Sequence, residues 1–247
     1  MRKDLNYKKI PLVRLEGNRK EKITDFIVQE SELKIIFNKR KVASLKYSRR
    51  DSEYLAVGFL FTEGFLKKKE EIVSLQFDQE KETIKVITKD IYPFSESGKR
   101  DNLSLKKIEK GILQVKAETI FSLLQEWQFR ARLFSLTGGA HSCALADQKG
   151  SILLFSEDIG RYNTVDKIIG EALLKKISLE DKIMIGSFRI TKEIFAKIAR
   201  GKIPLVVSRS APTDQAVKLA RKMGITLVGF AREGRMNIYS YPERIEV

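Results

Sequence analysis

The stretch ILLFSEDIGRYNTVDKIIGEAL, Ile152 to Leu173, decides the fold class. Ile152 to Phe155 is a short apolar run of the kind that fills a strand buried on both faces of a parallel sheet. After Ser156 to Arg161, the apolar residues Val165, Ile168, Ile169, Ala172 and Leu173 recur at i, i+3, i+4, i+7 and i+8, which is one face of a helix. Strand, polar loop, amphipathic helix is the unit of an α/β layered domain. The same unit recurs downstream, with apolar runs at Ile183 to Ile185, Leu205 to Val207 and Leu227 to Gly229 and a second helical stripe through Ala216, Val217, Ala220 and Met223. Upstream, Ala117 to Leu133 reads as a helix stopped by Gly138 and Gly139.

The residues that follow each strand carry the functional signal. They are Ser156-Glu157-Asp158-Ile159-Gly160-Arg161, Gly186-Ser187-Phe188-Arg189, Ser208 to Thr213, and Phe230-Ala231-Arg232-Glu233-Gly234-Arg235. In an open α/β sheet the carboxyl ends of parallel strands share one edge, where ligands bind. The loops are therefore expected to converge, and Arg161, Arg189, Arg209, Arg232 and Arg235 with their Ser, Thr and amide neighbours suit a phosphate-bearing ligand. Taken one at a time, each Ser, Thr or Gly is as well explained as a helix cap or a turn residue. Four arginine-bearing loops on one edge are not.

The first half is organised differently. Short strands are expected at Asp25 to Gln29 and Leu33 to Asn38, a helix from Asp51 to Gly64, and a hairpin of Val73 to Phe77 with Thr83 to Thr88. Pro93 to Lys110 is polar and irregular and reads as a linker or mobile loop. The expected division is an α+β unit over residues 1–110 and an α/β domain over residues 111–247.

Composition narrows the function. The chain has 247 residues, 43% hydrophobic, with 47 Lys and Arg against 32 Asp and Glu, a net charge of +15. That excess invites a polyanionic partner. It is spread along the chain, and its densest run, Lys67-Lys68-Lys69, is followed at once by Glu70-Glu71, a solvated face. Without aromatic interleaving or a nucleic-acid motif, nucleic acid is an unlikely partner. The start MRKDLNYKKIPLVRLEG lacks the apolar core of a signal peptide, and no run approaches the ~18 apolar residues of a membrane span. A single cysteine points to a reducing compartment. A soluble, cytoplasmic protein without membrane contact is expected.

That cysteine, Cys143, and the only histidine, His141, are two apart, so on a strand they share a face. A small thiol flanked by Ala144 and Leu145 is more often an inert core residue than a nucleophile. A zinc deaminase needs a Glu two residues after the His and a Pro-Cys-x-x-Cys pair. Here Cys143 takes the Glu position and no further cysteine exists, so no metal site is expected. The phosphate-loop and dinucleotide glycine motifs are also missing.

Five ordered motifs carry a resemblance: AVGFLFTEGFL from Ala56, TGGAHSCAL from Thr137, EDIGRYNTVDKIIG from Glu157, VSRSAPTDQAVKLA from Val207 and GITLVGFAREGRMNIYS from Gly224. They resemble the formate dehydrogenase accessory protein family, FdhD/NarQ. The resemblance implies a cytidine-deaminase-like layered α/β domain that has lost its zinc, with a smaller N-terminal α+β subdomain. It implies a cytoplasmic protein that relays sulfur from a cysteine desulfurase to the molybdenum cofactor of formate dehydrogenase and binds that cofactor, a bis(molybdopterin guanine dinucleotide), as cargo. GDP serves as an analogue, and a homodimer fits. Phe230, Ala231, Arg232, Glu233, Gly234 and Arg235 match the cofactor-binding segment of the family. The other motifs place Arg161, Asn163, Ser208, Arg209, Thr137, Gly138, Gly139 and His141 among the expected contacts.

One departure from the family matters. Its relay uses a Cys-Gly-x-Cys-Gly loop, and here Ser97 and Arg100 stand where those two cysteines align. A hydroxyl cannot carry a persulfide. Two function classes follow: a divergent cofactor-binding accessory protein, which is favoured, or a sulfurtransferase that has moved the role to Cys143.

Overall fold

The computed structural model describes residues 6–89, 107–108 and 113–247. The expected linker at Pro93 to Lys110, with Ser97 and Arg100, and the expected boundary at residue 110 lie almost wholly outside the described residues.

Strands β1 (Tyr7–Glu16) and β2 (Arg19–Val28) pair with each other as a separate antiparallel ribbon. The strand expected at Asp25 to Gln29 covers only the end of β2, because charged residues interrupt the apolar alternation in β1 and in the first half of β2. Strands β3 (Ser31–Phe37), β4 (Arg40–Tyr47), β5 (Ile72–Asp78) and β6 (Thr83–Thr88) form a four-stranded sheet of order β4-β3-β6-β5. Helix α1 (Ser52–Thr62) begins after Asp51 and ends before Gly64, as its spacing predicts. It covers that sheet with Leu55, Ala56, Val57 and Leu60, which are buried with Leu33, Ile35, Ile84 and Val86.

The remaining elements are β7 (Val115–Lys116), α2 (Ala117–Arg130), α3 (Arg132–Thr137), β8 (His141–Ala146), β9 (Ile152–Asp158), α4 (Arg161–Lys175), β10 (Ile183–Gly186), α5 (Lys192–Arg200), β11 (Leu205–Ser208), α6 (Asp214–Met223), β12 (Thr226–Arg232), β13 (Arg235–Ser240) and β14 (Ile245–Glu246). The single helix expected from Ala117 to Leu133 is broken at Ala131, whose φ of -75° and ψ of 64° leave the helical region. A six-stranded sheet runs in the order β13-β12-β11-β10-β8-β9.

The purely parallel sheet is corrected to a mixed one. β10, β11 and β12 are parallel, while β8 lies antiparallel between β9 and β10, and β13 is antiparallel to β12. Two reversals cancel, so β9 still runs the same way as β10, β11 and β12. Their carboxyl ends share an edge, and the start of β8 joins it.

Both faces of the sheet are buried. Cys143, Leu145, Met184, Val206 and Leu227 pack under α4, α5 and α6, against Val165, Ile168, Ile194, Ile198 and Ala216. Ala144, Ile183, Ile185, Val207 and Val228 face the other way, onto Ile120, Leu123, Leu124 and Trp127 of α2. Burying each large aliphatic side chain stabilises the fold by about 1.5–3 kcal/mol, so this α/β/α sandwich is the main stabilising unit.

Helices α1 and α4 join the two sheets at backbone distance. A Cβ at Gly58 would lie 1.8 Å from the Asp166 carbonyl oxygen, and one at Gly170 would lie 1.9 Å from the Tyr54 oxygen. Only glycine permits that approach.

Candidate ligand-binding cleft

At the shared strand edge the chain forms a cleft of about 710 Å³. One wall is Gly138, Gly139, Ala140, His141 and Ser142, the turn into β8 and its first residues. Ser187 follows β10, Arg209 and Ser210 follow β11, and Arg232 ends β12. Three of the four expected loops therefore meet here. The opposite wall was not foreseen: Trp127 and Gln128 from α2, and Ala131, Phe134 and Ser135 around the helix break. Their helical spacing reads as core packing, and the only sequence signal was a lone tryptophan in the helix leading to the Gly138-Gly139 turn.

A dense polar frame holds the edge. Ser187 Oγ accepts from the Ser142 amide at 3.1 Å and lies 3.3 Å from His141 Nδ1. Ser208 is buried, donating from Oγ to the Phe188 carbonyl at 2.7 Å and accepting from the Ser210 amide at 3.0 Å, so it shapes the loop. Thr137 Oγ1 donates to the Leu133 carbonyl at 2.7 Å and accepts from Gly139 N, which ties the turn that Gly138 makes with φ of +65°. Thr191 and Thr213 cap α5 and α6 through the amides of Ile194 and Ala216.

Two guanidiniums stand together in the cleft. Arg209 donates from Nη1 to Gln128 Oε1 at 2.8 Å, and Arg232 donates from Nη1 to the carbonyl oxygens of Arg209 and Ala231. Neither meets a carboxylate among the described residues. Burial, and next the charge of Arg232, push the Arg209 guanidinium below its ordinary value. Burial, and then the positive charge of Arg161, lower the His141 imidazole, so it is neutral near pH 7. In both groups burial is the larger cause and a neighbouring guanidinium the next.

Phe230 opens the β12 bulge with φ of +51°, a conformation that strains a residue with a bulky side chain. Its amide donates to the Ser210 carbonyl at 3.1 Å, and its ring is 40% exposed. The bulge re-aims the chain so that Arg232 turns into the cleft. Ala231 is buried beneath it.

Phe230 itself does not line the cleft, and the other expected residues also fall elsewhere. Glu233 and Gly234 form the turn between β12 and β13, with Glu233 accepting from Gln125 Nε2, and Arg235 is exposed on β13 opposite Arg232. Arg189 is exposed and lines no part of the cleft. Arg161 opens α4 and stacks 5.3 Å from the Tyr162 ring. Asn163 is buried and structural, donating from Nδ2 to the Lys46 carbonyl and to Asp158 Oδ1, both at 2.8 Å.

Asp158 and Asp166 belong to the interior. Asp158 pairs with Lys167 at 2.6 Å, both fully shielded, and also accepts from the amides of Ser48 and Gly160. Asp166 meets Lys197 at 3.0 Å and accepts from the Thr62 hydroxyl at 2.7 Å. Cys143 is wholly buried in the core under α4, and burial pushes its thiol far above the ordinary range. His141 and Cys143 do share a strand, yet only His141 reaches the cleft.

Fold and site together define a layered α/β protein with an arginine-bearing cleft and no accessible thiol among the described residues. A model of the FdhD/NarQ family matches residues 28–246, and the chain belongs to that family. A relative from Shouchella clausii, named "Sulfur carrier protein FdhD", is 32% identical over 95% of each chain. One of the same name from Staphylococcus haemolyticus is 35% identical, again over 95% of each. A crystal structure described as a formate dehydrogenase accessory protein, from Desulfotalea psychrophila, superimposes with a TM-score of 0.85 at 28% identity, covering 97% of this chain and 99% of that one. No helix among the described residues is long and apolar enough to cross a membrane.

Proposed function

We propose that this protein is a formate dehydrogenase accessory protein that binds the bis(molybdopterin guanine dinucleotide) cofactor as cargo, seating a guanine nucleotide diphosphate in the cleft. The observation that carries this reading is the Arg209–Arg232 pair, two neighbouring guanidiniums with no carboxylate between them. Like charges are held together at a free-energy cost unless an anion joins them, and forked donors suit a pyrophosphate. Thr137, Gly138 and Gly139 shape the wall, and neutral His141 offers a ring nitrogen to the ligand. Phe230 precedes Arg232 by two residues, and its amide ties it to the Arg209 loop through the Ser210 carbonyl. The layered domain with its capped strand edge supports the cytidine-deaminase-like reading, with the zinc replaced by a binding surface. A cytoplasmic homodimer that meets formate dehydrogenase completes the proposal.

Sulfur transfer, the role named for the relatives, has one candidate atom here, Cys143 Sγ. Its complete burial disfavours exchange with a desulfurase, which needs an accessible thiolate. The binding role is therefore the preferred one.

Calorimetric titration with GDP tests it. The native chain is expected to bind, and Arg232→Ala to bind roughly tenfold or more weakly, since a charged hydrogen bond contributes about 1.5–3 kcal/mol. Unchanged affinity in the variant would sink the reading. Incubation with a cysteine desulfurase and radiolabelled cysteine separates the two roles: label retained on Cys143 replaces binding alone by sulfur transfer.

A further inference from the structure

Trp127 is the only tryptophan of the chain. It sits on the last turn of α2, 2% exposed, within the core formed by Leu123, Val207, Val228 and Ala231, and it also lines the cleft. Its indole Nε1–H has no hydrogen-bond partner among the described residues. An indole nitrogen only donates, and native proteins seldom leave such a group both shielded and unpaired. Core packing alone does not account for it, because a phenylalanine would bury apolar surface in the same place without stranding a donor. The next residue, Gln128, holds the Arg209 guanidinium, so Trp127 belongs to the wall that positions the arginine pair.

We infer that Trp127 is a specificity-determining residue, its indole N–H donating to an acceptor atom of the nucleotide held by Arg209 and Arg232. This rests on reading the cleft as a nucleoside diphosphate site. Because the N–H is shielded, reaching that acceptor requires the cleft wall to shift on binding. The helix breaks at Ala131, four residues on, between α2 and the short α3 carrying Phe134 and Ser135, all of which line the same wall.

GDP titration of the full chain with two readouts tests the inference. Calorimetry reports binding, and indole fluorescence, which here comes from one residue, reports the surroundings of Trp127. GDP is expected to bind and to shift the indole emission, and Trp127→Phe, folded by its melting curve, to bind GDP about tenfold more weakly. Benzothienylalanine in place of Trp127 keeps the ring shape and lacks the N–H, so it has to reproduce that loss. If either replacement is folded and binds GDP as tightly as the native chain, the inference is overturned and the cleft reading stands. If the native chain takes up no GDP in the calorimeter, the cleft reading falls and this inference with it.

Discussion

Charged residues are treated in opposite ways in the helix seam and at the strand edge. In the seam between α1, α4 and α5, every buried charge has its counter-charge: Asp158 with Lys167 at 2.6 Å, Asp166 with Lys197 at 3.0 Å, and Glu63 with Lys197 at 2.7 Å. Burial pulls the Lys197 ammonium down, but the carboxylates of Asp166 and Glu63 outweigh it and hold the group above its ordinary value. At the strand edge, Arg209 and Arg232 have amide and carbonyl partners only. Charges that hold a fold together are neutralised within it, because an unpaired buried ion is strongly destabilising. Charges that hold a ligand are left for the ligand to neutralise. On the proposed reading, the difference separates structural aspartates from arginines that bind, although both stand in motifs of similar appearance.

The comparison breaks first at the seam. Gly170→Ala drives a Cβ into the Tyr54 carbonyl, and denaturant unfolding is expected to show a loss of about 4 kcal/mol or more, or no folded protein. A loss below about 1 kcal/mol would mean that the helices can separate, and the seam would not be the rigid half of the contrast. Lys167→Met leaves the Asp158 carboxylate buried without its counter-charge and is expected to lower stability by about 3–4 kcal/mol in the same measurement.

Smaller effects are expected at the cleft. Phe230→Gly removes a left-handed strain worth about 1 kcal/mol, so thermal unfolding should hold steady or rise while GDP affinity falls with the loss of the ring. A large drop in stability there would make Phe230 a core residue rather than a binding one. Arg209→Ala is expected to move stability by no more than about 0.5 kcal/mol, in contrast to Lys167. The smallest effect belongs to His141. Its folded value lies below the ordinary 6.5, so the unfolded chain binds more protons as the solution is acidified. The contribution is complete above the ordinary 6.5 and is lost as pH falls from there toward the lower folded value. Urea midpoints from pH 7 to pH 5 should decline less steeply in His141→Gln than in the native chain, and parallel slopes would show that the imidazole is not held neutral.

The sequence by itself determined the elements whose neighbours are close in the chain. The stripe from Val165 to Leu173, the stop at Gly64 and the strand runs at Ile183, Leu205 and Leu227 all appear where periodicity places them, because burial on one face of a helix or both faces of a strand imposes a local pattern. It also determined that the polar strand ends share an edge, since direction along a sheet follows from strand-helix alternation. The tertiary structure decided the rest. The antiparallel entry of β8 between β9 and β10 leaves no local mark, because a strand buried on both faces has the same composition in either direction. The pairing of Asp166 with Lys197, the burial of Cys143 and the wall built from Trp127 and Gln128 depend on contacts between residues far apart in sequence. Residue type alone cannot say whether a charge or a thiol has a partner, because its free energy is set by the dielectric and the counter-charges that packing brings to it.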